Sequence, residues 1–88
     1  MSWKVEFDSA AVKQLRKIDR TWQRRIVAYI EEIATLPDPH VRGKPLRSNL
    51  RGLWRYRVGD YRLLCQLQDD VLIVRVVKIG HRRTIYED

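Results

Sequence analysis

The sequence predicts an α+β domain in which an antiparallel two-helix hairpin packs on one face of a mainly antiparallel sheet, in the order β-α-α-β-β-β. Three observations carry this. Apolar residues alternate at Trp3, Val5 and Phe7, recur every three or four residues from Ala11 to Leu36, and alternate again, between arginines, from Leu53 onward. A period of two belongs to a strand with one buried face, and a spacing of three to four to a helix with one buried stripe. One domain spanning 1–88 is expected. A chain of 88 residues buries only about 60 to 65 % of its unfolded surface, enough for one modest core.

The elements follow in order. Lys4 and Glu6 alternate with Trp3, Val5 and Phe7 to make a short first strand. Asp8-Ser9 then offers an N-cap, since either side-chain oxygen can accept a free N–H of a first helical turn. Ala11, Leu15 and Ile18 form the stripe of one helix, with Lys13, Arg16 and Lys17 off it. Asp19 to Thr21 interrupts the pattern and supplies fresh caps. Trp22, Ile26, Ile30 and Ile33 continue it to Leu36, and two helices joined so tightly run antiparallel. Pro37 and Pro39 end the second helix. From there to Gly52 the chain reads as irregular and basic, with Arg42, Lys44, Arg47 and Arg51. The residues read either as a solvated connection or as a functional loop, because long structureless loops in small domains are often functional.

Three strands follow at about 53–58, 61–67 and 71–79, before the tail HRRTIYED. Gly59-Asp60 suits a two-residue hairpin turn, which needs a positive φ that Gly supplies. That turn sets Val58 opposite Tyr61, Arg57 opposite Arg62, Tyr56 opposite Leu63 and Trp54 opposite Cys65. A second two-residue turn at Asp69-Asp70 would set Leu63 opposite Val76, Leu64 opposite Arg75 and Cys65 opposite Val74. In this register Trp54, Tyr56, Leu63, Cys65, Leu67, Leu72, Val74 and Val76 face the helices, while Arg55, Arg57, Arg62 and Arg75 share the other face. Like charges directly opposite each other cost a few tenths to about 1 kcal/mol. Arg57 and Arg62 therefore splay into water, pair with acids such as Asp60 or Glu87, or hold an anion.

Composition narrows the partner. Eighteen Lys and Arg against eleven Asp and Glu give a net charge of +7. That excess favours a polyanion, nucleic acid above all, over an acidic protein or a merely solvated basic surface. The single Cys65 forms no internal disulfide and suits a reducing, cytoplasmic setting. No apolar run approaches the roughly 18 residues of a membrane span.

Two stretches, LRGLWRYRVGDYRLLCQL (Leu50 to Leu67) and VVKIGHRRTIYED (Val76 to Asp88), resemble the RelE/ParE superfamily of bacterial type II toxins. The Tyr61-Arg62 pair after the turn, and Gly80-His81-Arg82 followed by Ile85-Tyr86, look like its RelE branch. The resemblance covers essentially the whole chain. It implies a RelE-like fold and an mRNA-cleaving toxin that enters the A site of the 70S ribosome, silenced by an acidic RelB-like antitoxin. It also implies a metal-free reaction in which the RNA's 2′-hydroxyl attacks the adjacent phosphate. His40 and His81 are the only histidines, and no clustered carboxylate or Cys/His ligand set appears, a pattern that agrees with this metal-free and cofactor-free chemistry.

Carried over by position, Arg62 matches the arginine after the turn and is assigned to transition-state charge. Arg82 matches the arginine after the last strand, and Tyr86 the tail tyrosine that orients the 2′-hydroxyl or stacks on a base. Arg55 occupies a strand position where members often carry Lys or Arg. His81 is the acid/base candidate by residue type, or equally a surface histidine in a basic turn. Arg57, Lys44, Arg47 and Arg51 are assigned to RNA or ribosomal phosphates. The chain departs from the family at Leu53, where some members have a second strand lysine, and at Asp88, which leaves no room for an added C-terminal helix. It also has no carboxylate placed as a base beyond Glu87, a poor substitute. Two other readings keep the same residues: a ParE-like toxin that inhibits DNA gyrase by binding it, and a non-enzymatic basic module. The tail HRRTIY favours the nuclease.

Overall fold

In a computed structural model, which describes residues 2–85, the sequence forms two helices over one face of a five-stranded sheet. The strands are β1 (Lys4–Phe7), β2 (Lys44–Pro45), β3 (Leu53–Val58), β4 (Tyr61–Gln68) and β5 (Ile73–His81), in spatial order β1-β5-β4-β3-β2. The helices are α1 (Ser9–Arg16) and α2 (Arg20–Thr35). β1 pairs with β5 in parallel, Lys4 opposite Ile73 through Phe7 opposite Val76. A parallel neighbour needs a long crossover, and everything between the two strands provides it. Arg75 locks this edge, its guanidinium donating to Glu6 at 2.9 Å and to Asp8 at 2.8 Å. Asp8 therefore holds the N-cap position of α1 without a side-chain cap bond, whereas the Asp19 carboxylate caps α2 by accepting the Thr21 N–H at 3.0 Å.

The predicted stripes meet in the core. Ala11, Ile26, Ile30 and Ile33 pack on Tyr56, Leu63, Cys65, Val74 and Val76. Burial pushes the Cys65 thiol and the Tyr56 phenol above their ordinary values, and the Tyr56 hydroxyl donates to the Pro39 carbonyl at 2.7 Å. The first hairpin has the expected register throughout.

The second hairpin differs. Residues 69–72 form its turn, with Leu72 at a φ of 57°, and β5 begins at Ile73. Cys65 therefore faces Val76, and Leu67 faces Val74. A shift of two residues changes every partner but no face, because side chains alternate with a period of two. A bulge follows: Cys65 pairs with Val76 but Leu64 with Lys78, so Val77 is the extra residue.

The segment read as structureless is also built. It holds 3-10 turns at Pro39–Arg42 and Ser48–Leu50, and between them β2, which pairs antiparallel with β3. His40 is wedged between Trp3 and Trp54, with ring centroids 6.1 and 4.6 Å away, and its Nδ1 lies 2.6 Å from Asp38. Hydrogen bonds from His40 hold the Asp38 carboxyl below the usual carboxylate range. This histidine ties a loop to the sheet.

Candidate functional site

The face away from the helices carries the basic residues. Across the strands, Lys44, Arg55, Leu64 and Lys78 lie side by side in one row, and Arg57, Arg62 and Gly80 in the next. Directly paired residues have Cβ atoms about 4.5 to 5.5 Å apart, so these cations share a single patch. In the described strands the one carboxylate on this face is Glu6, at the far edge and already bonded to Arg75. Arg75 shares the face but serves the β1 edge.

The arginine face is not the open surface that alternation suggested. Leu46, Leu64 and Ile85 form a second apolar cluster over it, with Leu50, Leu53 and Val77 packed alongside. The loop before β3 and the tail after β5 thus fold onto this side. Arg55 is 8 % exposed and Arg62 is 7 % exposed, so both form the floor of the patch. A buried guanidinium requires hydrogen bonds. One nitrogen of Arg62 donates to the Gly59 carbonyl at 3.1 Å and to the Tyr61 carbonyl at 3.2 Å, fastening it to the hairpin turn. Arg57, Lys44 and Lys78 are exposed around this floor.

Arg82 sits at the rim. Its backbone N–H donates to the Asp60 carbonyl at 2.7 Å, and its half-exposed side chain lies 3.6 Å from the Asp60 carboxylate. Arg47 and Arg51 are exposed on the loop but lie outside the strand rows. His81 is not with the arginines. It pairs with Tyr61, which shares the helix-side face with Val58, and its ring lies edge-on to Tyr61 with centroids 5.8 Å apart. Tyr86 lies outside the described residues.

Sequence reasoning passed over Lys78 and Arg83, both exposed at this end of β5. Strict alternation from Val74 and Val76 would point Lys78 into the core and Ile79 out of it. That conflict was the available sign of the bulge, which turns Lys78 outward and buries Ile79 to 3 % exposure. Among the described residues, no three His, Cys, Asp or Glu side chains come together as a metal site. Among the same residues, no helix is long and apolar enough to cross a membrane.

The family description "ParE toxin of type II toxin-antitoxin system" matches residues 5–86. The chain belongs to the RelE/ParE superfamily of type II toxins. Within that superfamily it is 35 % identical to Toxin RelG of Mycobacterium tuberculosis, over 98 % of each chain. It is 34 % identical to Toxin RelE of the same organism, over 81 % of this chain and 75 % of the relative. Among solved structures, the toxin–antitoxin complex RelBE2 from M. tuberculosis superposes with a TM-score of 0.85 at 29 % identity, covering 93 % of each chain. The archaeal RelE–RelB complex from Pyrococcus horikoshii shares the fold, with a TM-score of 0.74 at 21 % identity over 97 % of this chain and all of that one. The matching description is named for ParE, but these relatives are RelE-type toxins, so the RelE branch is favoured over the ParE-like alternative.

Proposed function

We propose that this RelE-family chain acts in the cytoplasm as a ribosome-dependent, metal-independent endoribonuclease that cleaves mRNA in the A site and so arrests translation. A RelB-like antitoxin would hold it in check. The observation that supports this reading is the two-row basic patch, with Arg55 and Arg62 in its floor and exposed cations around them.

In the reaction, a 2′-oxygen–phosphorus bond forms as the bond to the 5′ oxygen breaks. The 2′ proton must leave, the 5′ oxygen must gain one, and the phosphorane-like transition state carries added negative charge. Fixed cations stabilise that charge most when they need not reorganise, and a guanidinium tied to the hairpin turn, as Arg62 is, meets the condition. Arg82 would contact the scissile phosphate from the rim, and Tyr86 would orient the 2′-hydroxyl or stack on a base. Arg57, Lys44, Arg47 and Arg51 would hold flanking phosphates. Of the described carboxylates only Asp60 borders the patch, and it lies 3.6 Å from the Arg82 guanidinium, whose charge suits it poorly to take a proton. Alignment of the 2′-hydroxyl on the ribosome would therefore supply much of the rate, an effect worth about 7 to 11 kcal/mol when alignment is complete. For regulation, an acidic antitoxin covering this face would neutralise the patch. The RelBE2 and RelE–RelB complexes among the structural relatives support a partner of that kind.

Mapping mRNA ends in a purified translation reaction, beside a DNA gyrase assay, tests the proposal. New ends within the A-site codon and unaffected gyrase are expected. Inhibited gyrase with intact mRNA would transfer the chain to the ParE-like reading.

A further inference from the structure

His81 organises the turn by which the chain leaves β5. Its ring Nδ1 accepts the backbone N–H of Arg83 at 3.2 Å. Its carbonyl oxygen accepts the N–H groups of Thr84 and Ile85, each at 2.9 Å, and the Thr84 hydroxyl at 3.2 Å. A side-chain acceptor bonded to the amide two residues on is the geometry of an Asx turn. The chain makes it twice with aspartate: Asp19 accepts from Thr21 at 3.0 Å, and Asp38 accepts from the His40 amide at 3.1 Å. At residue 81 an imidazole takes the place of the carboxylate. A nitrogen that accepts must keep its lone pair, so the ring proton sits on Nε2.

The turn is anchored on both sides. Before it, the Arg82 N–H donates to the Asp60 carbonyl at 2.7 Å. After it, Ile85 is buried with Leu46 and Leu64, in a space that Gly80 leaves open: a Cβ there would stand 3.1 Å from the Ile85 Cβ. Arg82 and Arg83 project between the two anchors. The ring itself lies against Tyr61, on the helix side of the sheet, away from the Arg55 and Arg62 floor.

We propose that His81 is a positioning residue: its Nδ1 and its carbonyl fix the turn that aims Arg82 and Arg83, and it carries no proton in the reaction. What the two arginines are aimed at rests on the RNA-cleavage reading; the turn itself does not. Three substitutions separate the roles. Asn places an acceptor at the δ position and makes the same turn, Gln places its amide at the ε position, and Ala has neither.

The experiment compares wild type with His81→Asn, His81→Gln and His81→Ala in growth arrest, ribosomal mRNA cleavage and amide exchange at Arg83. Exchange at Val74 and Val76 reports the fold. Asn should retain slow Arg83 exchange, growth arrest and cleavage. Gln and Ala should lose Arg83 protection, and misaimed arginines should cost roughly ten- to a hundredfold in cleavage rate. Asn as inactive as Ala, or Gln more active than Asn, would overturn the proposal. If no protein in the series cleaves mRNA, the nuclease reading falls. Arg83 exchange still decides the turn: protection in wild type and Asn alone supports it, and equal protection in all four refutes it.

Discussion

Arg62 and Arg82 lie at one end of the sheet and are held in opposite ways. Arg62 is 7 % exposed and donates to two turn carbonyls, whereas the Arg82 side chain is half exposed beside Asp60. Strand alternation for Arg62, and position in the family pattern for both, assign the two arginines alike to a solvent-facing anion site; only the surroundings separate them. Arg62→Ala should lose growth arrest and also stability, by roughly 1 to 3 kcal/mol, because a buried guanidinium and its charged hydrogen bonds to two partly buried turn carbonyls are lost. Arg82→Ala should lose growth arrest with stability within about 0.5 kcal/mol of wild type, as exposed substitutions usually do. Urea unfolding of the two variants measures the difference, and equal midpoints would contradict it. The sign that something covers Arg62 was Leu64, an apolar residue on the arginine face. Its cover comes from Leu46 and Ile85, distant in sequence, and nothing local names them.

At the scale of elements, what could be read depended on whether a turn announces itself. Gly59 fixes the first hairpin by chemistry: its φ is +57°, and a Cβ would stand 2.4 Å from the Trp22 ring. Trp22 in turn packs near Tyr61, with centroids 5.6 Å apart, and carries the Arg25 guanidinium 4.9 Å from its own ring. The helix thus lies on the turn, and the register followed from sequence. The second hairpin has no such residue. Leu72 takes a φ of 57°, a conformation rare for leucine, so no residue type signals that the turn runs two residues beyond Asp69-Asp70. The parallel docking of β1 on β5 likewise depends on Arg75 meeting Glu6 and Asp8 across the length of the chain. Gly59→Ala should therefore destabilise by roughly 2 to 4 kcal/mol, combining backbone strain with the clash on Trp22. Gly52→Ala is the control. Gly52 also has a positive φ, +97°, but open space around it, so about 1 to 2 kcal/mol is expected from strain alone. Thermal unfolding of the pair distinguishes the two contributions; similar losses would mean that Trp22 yields at no cost.

For the whole molecule, the net charge of +7 matters less than where the acids are. Glu6 and Asp8 hold Arg75, Asp19 caps α2, Glu32 pairs with Arg42, and Asp38 and Asp69 flank His40. Asp60 alone of the described carboxylates meets the rim, at Arg82. The patch therefore presents Lys44, Arg57, Lys78, Arg82 and Arg83 to solvent with little neutralisation by the described carboxylates. Contact with single-stranded RNA through these five would release counterions with a log–log salt slope of roughly −3.5, at about −0.7 per phosphate. Lys78 tests the geometry most sharply, since only the bulge places it in that group. Lys78→Gln should make the slope shallower by about 0.7 and weaken binding across all sequences alike. Lys13→Gln removes the same charge from exposed α1, outside the strand rows, and should leave the slope unchanged. Binding of an unstructured RNA, followed by anisotropy across a salt series, compares the two. Equal slopes for both variants would mean that the protein attracts RNA as a diffuse cation and that the two-row patch does not set the contact.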